Sequence, residues 1–459
     1  MIKQLSISKL VIVFIMLMVL YMIKNYNSLN GSRGIIDNDV VQYYSYLPAA
    51  LIYHDVSLKF TENYHGPHKF EFWPSMAPNG GLVIKVTMGM SFMYLPFFYA
   101  GHWYAYLFGY DTGGYSKPYQ IALLLSSLFY LIVGLHFLRK VLEKYFDTFI
   151  VAFVLLLLVF GTNMFIFATI NGAMTHVYSF SLLCVFIYYT IKWYERQSFR
   201  HSLILGLVLG LITIVRPNNI VMGLIFVFYG ITSFKDIGAR FRLFFKNYYW
   251  IALMIFCVAL LCLPQFIYWK MVTGNWFYYS YGDEHFYFNR PQFINGLFSF
   301  RKGWYVYAPI MMFATIGIFM CYKHLKSFFV PILLFMVINL WIIFSWWCWW
   351  YGGCYGQRTL IDMYGLMAIG LGVFLAFIWK QKMWIRYPVV ILLLLLTFLN
   401  SFNSIQYKCG ALHYDSMTKA AYFENFGHME PHGKYYDLLQ IPDYANAMKG
   451  LPETTNTTK

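Results

Sequence analysis

Apolar residues fall in long blocks, near 10–23, 82–108, 119–138, 149–170, 174–191, 201–215, 218–233, 250–269, 304–322, 327–345, 360–379 and 387–404. A hydrocarbon layer about 30 Å thick takes roughly 20 helical residues to cross. Inside it every backbone N–H and C=O must be satisfied within the segment, which selects helices for apolar runs of this length. The pattern therefore predicts an all-α polytopic membrane protein. The run 82–108 is the exception, because it carries Lys85, Gly89, Pro96, Gly101 and His102. It is expected to dip into the membrane or lie along it, sheltered by protein. That leaves about eleven crossings.

Composition agrees: 60% hydrophobic and 12% charged residues leave too little polar surface for a water-soluble fold. Charge adds direction. Arg139, Lys140 and Lys144 share one linker, and Lys192, Arg196 and Arg200 another. Lys235, Arg240, Arg242 and Lys246 fill a third, Lys323 and Lys326 a fourth, and Lys380, Lys382 and Arg386 a fifth. With Lys3 and Lys9 these are 17 of the 34 basic residues, against Glu143, Asp147, Glu195 and Asp236 among the 19 acidic ones. The net charge of +15 thus belongs almost wholly to one face. The positive-inside rule makes that face cytoplasmic, so the basic balance needs no nucleic-acid partner.

The expected order is a cytoplasmic N-terminus with an uncleaved signal-anchor at 10–23, then a first external loop, 24–81, holding juxtamembrane helices and extended by 82–108. A membrane module then runs to residue 405, with external loops at 270–303 and 346–359, and a short external tail spans 406–459. The tail's closing Pro-Glu-Thr-Thr-Asn-Thr-Thr-Lys reads as disordered. No internal repeat of the kind common in transporters is present. The cysteines form no metal-ligand spacing, and a bridge among Cys348, Cys354 and Cys409 is left open.

Acid–base chemistry needs ionisable groups, and few carboxylates lie outside the basic linkers. Asp37 and Asp39 stand shortly after the first crossing, and Asp283 and Glu284 lie in the loop 270–303. Asp362, just inside an apolar run, is costly there and a functional candidate. Either Asp37 or Asp39 can cap a helix over the tyrosine-rich stretch that follows, and the other can serve as general base or metal ligand. Lys85, Arg216, Arg290, Arg301, Lys302 and Arg358 break the positive-inside trend at membrane borders. Singly each can anchor to lipid headgroups, whereas a convergence of Arg216, Arg301, Lys302, Arg358 and Lys85 would form an anion site for a lipid phosphate. Phe344 to Tyr351 is the most aromatic stretch. It suits an interfacial belt, or an acceptor groove in which Trp349 and Trp350 stack on sugar. Gly206 and Gly210 read as helix-packing residues.

Asp39 followed by Tyr43, Tyr44, Tyr46, Leu47 and Pro48 resembles the first loop of C-type (GT-C) integral-membrane glycosyltransferases. The likeness is to the protein O-mannosyltransferase and aminoarabinose transferase group, bacterial members included. Arg216-Pro217, Arg301-Lys302-Gly303-Trp304, Gly356-Gln357-Arg358 and the segment His413 to Lys419 are also similar to that group. The resemblance covers the plan of most of the chain. It implies a multi-pass bacterial inner-membrane enzyme transferring sugar from a polyprenyl-phosphate or polyprenyl-diphosphate donor. The acceptor would be a hydroxyl of a lipid, glycan or protein on the periplasmic face. The implied base is Asp39, with Asp37 the runner-up because Val40 stands where relatives place a glycine or a second acid. It also implies donor-phosphate contacts by the border cations and sugar or acceptor contacts by Tyr43, Tyr44, Asp283, Glu284, Trp349 and Trp350. Members differ over a divalent metal, Mg or Mn, and no ligand set decides it here. Two other classes share these features: a transporter or flippase of lipid-linked saccharides, whose charges would line mid-membrane helices, and a polymerase or ligase of lipid-linked glycans.

Overall fold

The computed structural model describes residues 6–25, 34–62 and 74–453. Lys3, two stretches of the first loop and the last six residues lie outside them. The described residues fold almost entirely as helix: α1 Ile7–Lys24, α2 Asp39–Leu51, α3 Gly89–Leu107, α4 Lys117–Leu142, α5 Thr148–Phe160, α6 Met164–Ala168, α7 Thr175–Glu195 and α8 Phe199–Val215. A 3-10 turn, Pro217–Met222, leads into α9 Gly223–Phe228, followed by α10 Phe234–Lys246, α11 Tyr248–Thr273, α12 Phe293–Phe298 and α13 Trp304–Tyr307. The rest are α14 Ile310–His324, α15 Lys326–Phe344, a 3-10 turn Arg358–Met363 running into α16 Tyr364–Trp379, α17 Met383–Lys408, α18 Lys419–Glu424 and α19 Tyr444–Met448. The two named strands, Ser75–Met76 and Leu82–Val83, form a two-stranded antiparallel ribbon.

Six of the described helices are long and apolar enough to cross a membrane: α1, α4, α11, α15, α16 with its leading turn, and α17. Four shorter apolar helices (α5, α8, the 217–228 pair and α14) pack among them. This is the fold of a polytopic α-helical membrane protein. Within the run 82–108, residues Gly89–Leu107 form the 19-residue helix α3, which carries Pro96. It leaves Trp103, Tyr104, Tyr106 and Phe108 exposed at one end, the aromatic composition that favours a membrane–water interface.

α16 is the central helix. It is buried on all sides from Tyr364 to Leu375: Gly370 lets the α14 backbone approach, while Gly365 and Gly372 make room for the side chains of Cys184 and Phe146. A Cβ on Gly317 of α14 would stand 1.9 Å from the Gly370 carbonyl oxygen, and one on Gly370 would stand 2.4 Å from that of Ala314. Gly206 and Gly210 do act as packing residues: a Cβ on Gly206 would meet the Met254 backbone of α11 at 2.8 Å. Gly317→Val is therefore expected to destabilise the protein by about 1–3 kcal/mol or more, lowering its thermal midpoint in detergent. Gly238→Val, with nothing within 4 Å of the new Cβ, is the control; equal melting of the two variants would contradict the close α14–α16 packing.

The basic linkers gather at one end of the bundle. The Ser8 hydroxyl donates to Glu143 at 2.6 Å, Arg139 pairs with Glu143, and Lys144 and Lys192 both pair with Glu195. Arg240 donates to the Val227 carbonyl, the Gly230 N–H to the Ser327 carbonyl at 2.9 Å, and Phe149 packs on Trp379. Helices α8 and α16 both have their other terminus, Arg216 and Arg358 respectively, away from this end. At about 1.5 Å per residue, the 17 residues of α8 set the two ends roughly 25 Å apart. Of the closing stretch 452–459, expected to be disordered, only Pro452 and Glu453 fall among the described residues, and Glu453 pairs there with Arg301 at 2.6 Å; the other six lie outside them. Cys348 and Cys354 are buried free thiols and Cys409 an exposed one.

Candidate functional site

Two ion-pair groups lie at the end opposite the basic linkers. In the first, Arg358 Nη2 donates to Asp39 Oδ2 at 2.9 Å, joining the first turn of α2 to the turn that opens α16. Asp39 sits at the N-terminus of α2, where the helix dipole favours an anion. Its side chain is 43% exposed while that of Arg358 is 16% exposed, so the carboxylate faces outward and the guanidinium stands behind it. Asp39 Oδ1 has no hydrogen-bond partner among the described residues, and Arg358 Nε is buried without one. The pair thus retains an open acceptor and an open donor.

In the second group, Asp362 is 1% exposed and fully engaged. Arg216 Nη1 donates to its Oδ2 at 2.8 Å, Asn219 Nδ2 to the same oxygen at 2.8 Å, and His176 Nδ1 to its Oδ1 at 3.0 Å. Four helical segments, α7, α8, the 217–222 turn and the 358–363 turn, are tied at this one carboxylate. Charge-assisted bonds of this kind are how a buried charge is tolerated.

Tyrosines join the two groups. Tyr43, one turn along α2, has its hydroxyl pushed up to about 12 by burial and then by the Asp39 charge, against the pull of Arg358 and Arg216. It remains a protonated donor at neutral pH. Burial likewise raises Tyr281 and Tyr351 well above the usual phenol range; Tyr281 feels Tyr43, Arg216 and Asp39, and Tyr351 feels Arg216 and Arg358. Lys85 reaches the same edge but is neutralised by an ion pair with Glu284. Trp347 Nε1 donates to the second Glu284 oxygen at 3.2 Å.

The expected convergence of cations is therefore partial. Arg216 and Arg358 come together; Arg301 and Lys302 turn elsewhere. Arg301 lies over Trp350 and is held by Glu453 and by the Gln440 carbonyl of the tail. Lys302, 1% exposed, donates to the carbonyls of Cys354 and Tyr414, locking the loop 346–359 to the tail. Burial pushes its ammonium below the usual lysine range. Of the acceptor candidates, Tyr44 is a core residue, fully buried among Tyr94, Phe98 and Tyr115 with its hydroxyl on the Gly114 carbonyl. Asp283 is exposed and takes part in none of these ion pairs. Trp349 and Trp350 are buried walls of a neighbouring cavity. Asp37 does not cap α2 through its side chain, since its Oδ1 accepts the N–H of Asn38, whose φ is +51°. Among the described residues no three or more His, Cys, Asp or Glu side chains gather as a metal site.

Sequence reasoning missed His176 and Asn219. His176 stands in the apolar run 174–191, and an ionisable residue there was the available signal. The fold and these ion pairs define a helical membrane protein with a charged cluster at the end away from its basic linkers. No protein-family model and no curated protein matches the chain, so its function is argued from these side chains.

Proposed function

We propose that the protein is a glycosyltransferase of the inner membrane with a GT-C-like bundle of about eleven crossings. It transfers a sugar from a polyprenyl-phosphate donor to an acceptor hydroxyl on the periplasmic face. The observation that carries this reading is the Asp39–Arg358 pair: an outward-facing carboxylate with one free oxygen, backed 2.9 Å away by a guanidinium that has an unused N–H. Glycosyl transfer from a lipid phosphate needs those two groups side by side. The carboxylate takes the acceptor's proton as its oxygen attacks the anomeric carbon. The bond from that carbon to the phosphate oxygen breaks, and the guanidinium holds the departing phosphate. Tyr43 keeps a protonated hydroxyl within the field of the pair, and Arg216 adds positive potential from behind. A flippase would instead need charges along mid-membrane helices, whereas the free groups here are at one end.

Purified protein given a panel of polyprenyl-phosphate-linked sugars is expected to release polyprenyl phosphate in the presence of acceptor. Movement of lipid-linked saccharide across a vesicle membrane with no release would overturn the reading in favour of a flippase. Orientation has its own test. A reporter fused after Ser404 is expected to be active only outside the cytoplasm, and one within 235–246 only inside. A cytoplasmic C-terminus would contradict the odd number of crossings.

A further inference from the structure

A cavity of about 700 Å3 opens beside the Asp39 cluster, between the loops 270–303 and 346–359 and the tail. Trp346 and Trp347 line it, half-buried, with Trp349 and Trp350 behind them. Gln292, Asn295, Ser299 and Thr418 supply amides and hydroxyls around the same space. Arg290 and Lys419 stand on its rim, both exposed and neither paired with a carboxylate among the described residues. The acidic residue of the lining, Glu453, is spent on Arg301. The cavity therefore presents aromatic faces, neutral hydrogen-bonding groups and a net positive rim.

The far wall is the tail, and it is fastened. The Tyr287 hydroxyl donates to the Met448 carbonyl, Arg290 Nη1 to that of Gly450 at 3.2 Å, and the Tyr444 hydroxyl to Asp415 at 2.9 Å. The near wall is shared with the cluster. Trp346 meets the ring of Tyr281 edge-on at 5.6 Å, and Tyr281 feels the charges of Asp39 and Arg216. Trp347 reaches Glu284, which holds Lys85 over the Tyr281 ring at 5.2 Å. Tyr281 and the Lys85–Glu284 pair thus link this wall of the cavity to the edge of the cluster.

We propose that this tail-walled cavity binds an acidic saccharide, the acceptor half of the transfer reaction. The chemistry follows from the lining. The C–H faces of pyranose rings are weakly positive and pack on electron-rich indole faces, while amides and hydroxyls match ring hydroxyls in a pocket of ordinary ligand size. Arg290 and Lys419 select a carboxylate- or phosphate-bearing sugar over a neutral one, because each has donors left for an anion. The assignment rests on the glycosyl-transfer reading but can fail separately from it.

The test uses the full-length Asp39→Asn protein in detergent, which binds without turning over, applied to an array of immobilised neutral and acidic oligosaccharides and of glycerophosphoglycerol as a lipid-headgroup control. Retention on acidic saccharides, weakened at least tenfold in the Arg290→Glu/Lys419→Glu variant, is the expected result. Retention on none, equal retention on neutral ones, selective retention on the headgroup, or undiminished binding by the double variant would overturn the site. If acidic saccharides bind as expected while wild-type protein releases no polyprenyl phosphate from any donor, the site stands and the transfer reading falls. If polyprenyl phosphate is released but no saccharide binds, the transfer reading stands and the site falls.

Discussion

Asp39→Asn is expected to abolish sugar transfer while leaving the protein folded and able to hold its donor. An alcohol is a poor nucleophile at neutral pH, and a carboxylate positioned to accept its proton contributes on the order of 100- to 10,000-fold in rate. Asparagine keeps the shape and leaves an oxygen to accept from Arg358, 2.9 Å away in the native protein, but it cannot take the proton. Arg358 is only 16% exposed, so losing the Asp39 charge costs some stability. Asp39 itself is 43% exposed, however, solvent screens the pair on that side, and the asparagine oxygen still accepts from the guanidinium. The loss in kcat should therefore far exceed any fall in melting temperature, which should be smaller than that of Asp362→Asn. Arg358→Ala should behave differently, weakening donor use through the loss of a charge-assisted phosphate contact worth roughly 1.5–3 kcal/mol. Asp37→Asn should be milder, since Asp37 accepts a backbone N–H next door and faces neither arginine. Turnover near wild type in Asp39→Asn, with Asp37→Asn or Asp283→Asn inactive, would put the base elsewhere.

The parts of this arrangement legible in the sequence are those governed by solvent. Apolar runs had to become helices. The basic linkers had to share an end, as the Ser8–Glu143, Lys144–Glu195 and Gly230–Ser327 contacts show they do. Position at a border also marked Asp39, Arg216 and Arg358. Partnership was not legible, because it depends on which helices adjoin: Asp39 and Arg358 are 319 residues apart. Arg301 illustrates the difficulty. It has the same composition and border position as Arg358, but its partner is Glu453, in a tail whose final residues look unstructured by composition. Tyr43 and Tyr44 differ by the helical step of about 100° that one residue makes. That step sends one toward Arg216 and Arg358 and the other into the core against Tyr94 and Phe98. His176 carries only the weak signal of an ionisable residue in an apolar run, and a single such histidine looks like a packing residue until Asp362 is seen 3.0 Å away.

Asp362→Asn should produce the largest loss of stability of any single change at the site. Asp362 is 1% exposed and accepts from Arg216, Asn219 and His176 at 2.8 to 3.0 Å. Asparagine can keep one acceptor but removes the charge that compensates the Arg216 guanidinium, which is itself only 15% exposed. Removing one partner of a buried pair costs about 3–5 kcal/mol, because the remaining charge stays desolvated. The variant is expected to melt far earlier in detergent, and removing the stranded charge as well, in Arg216→Gln/Asp362→Asn, should recover much of the loss. The double variant also separates two roles of Arg216. If it regains stability but not donor use, Arg216 acts on the phosphate as well as on Asp362. If it regains both, Arg216 only positions Asp362 and the turn that carries Arg358. An Asp362→Asn protein that melts like wild type would show that the four-segment junction is not held by this carboxylate, and with it would go the reason for placing Arg358 rigidly behind Asp39.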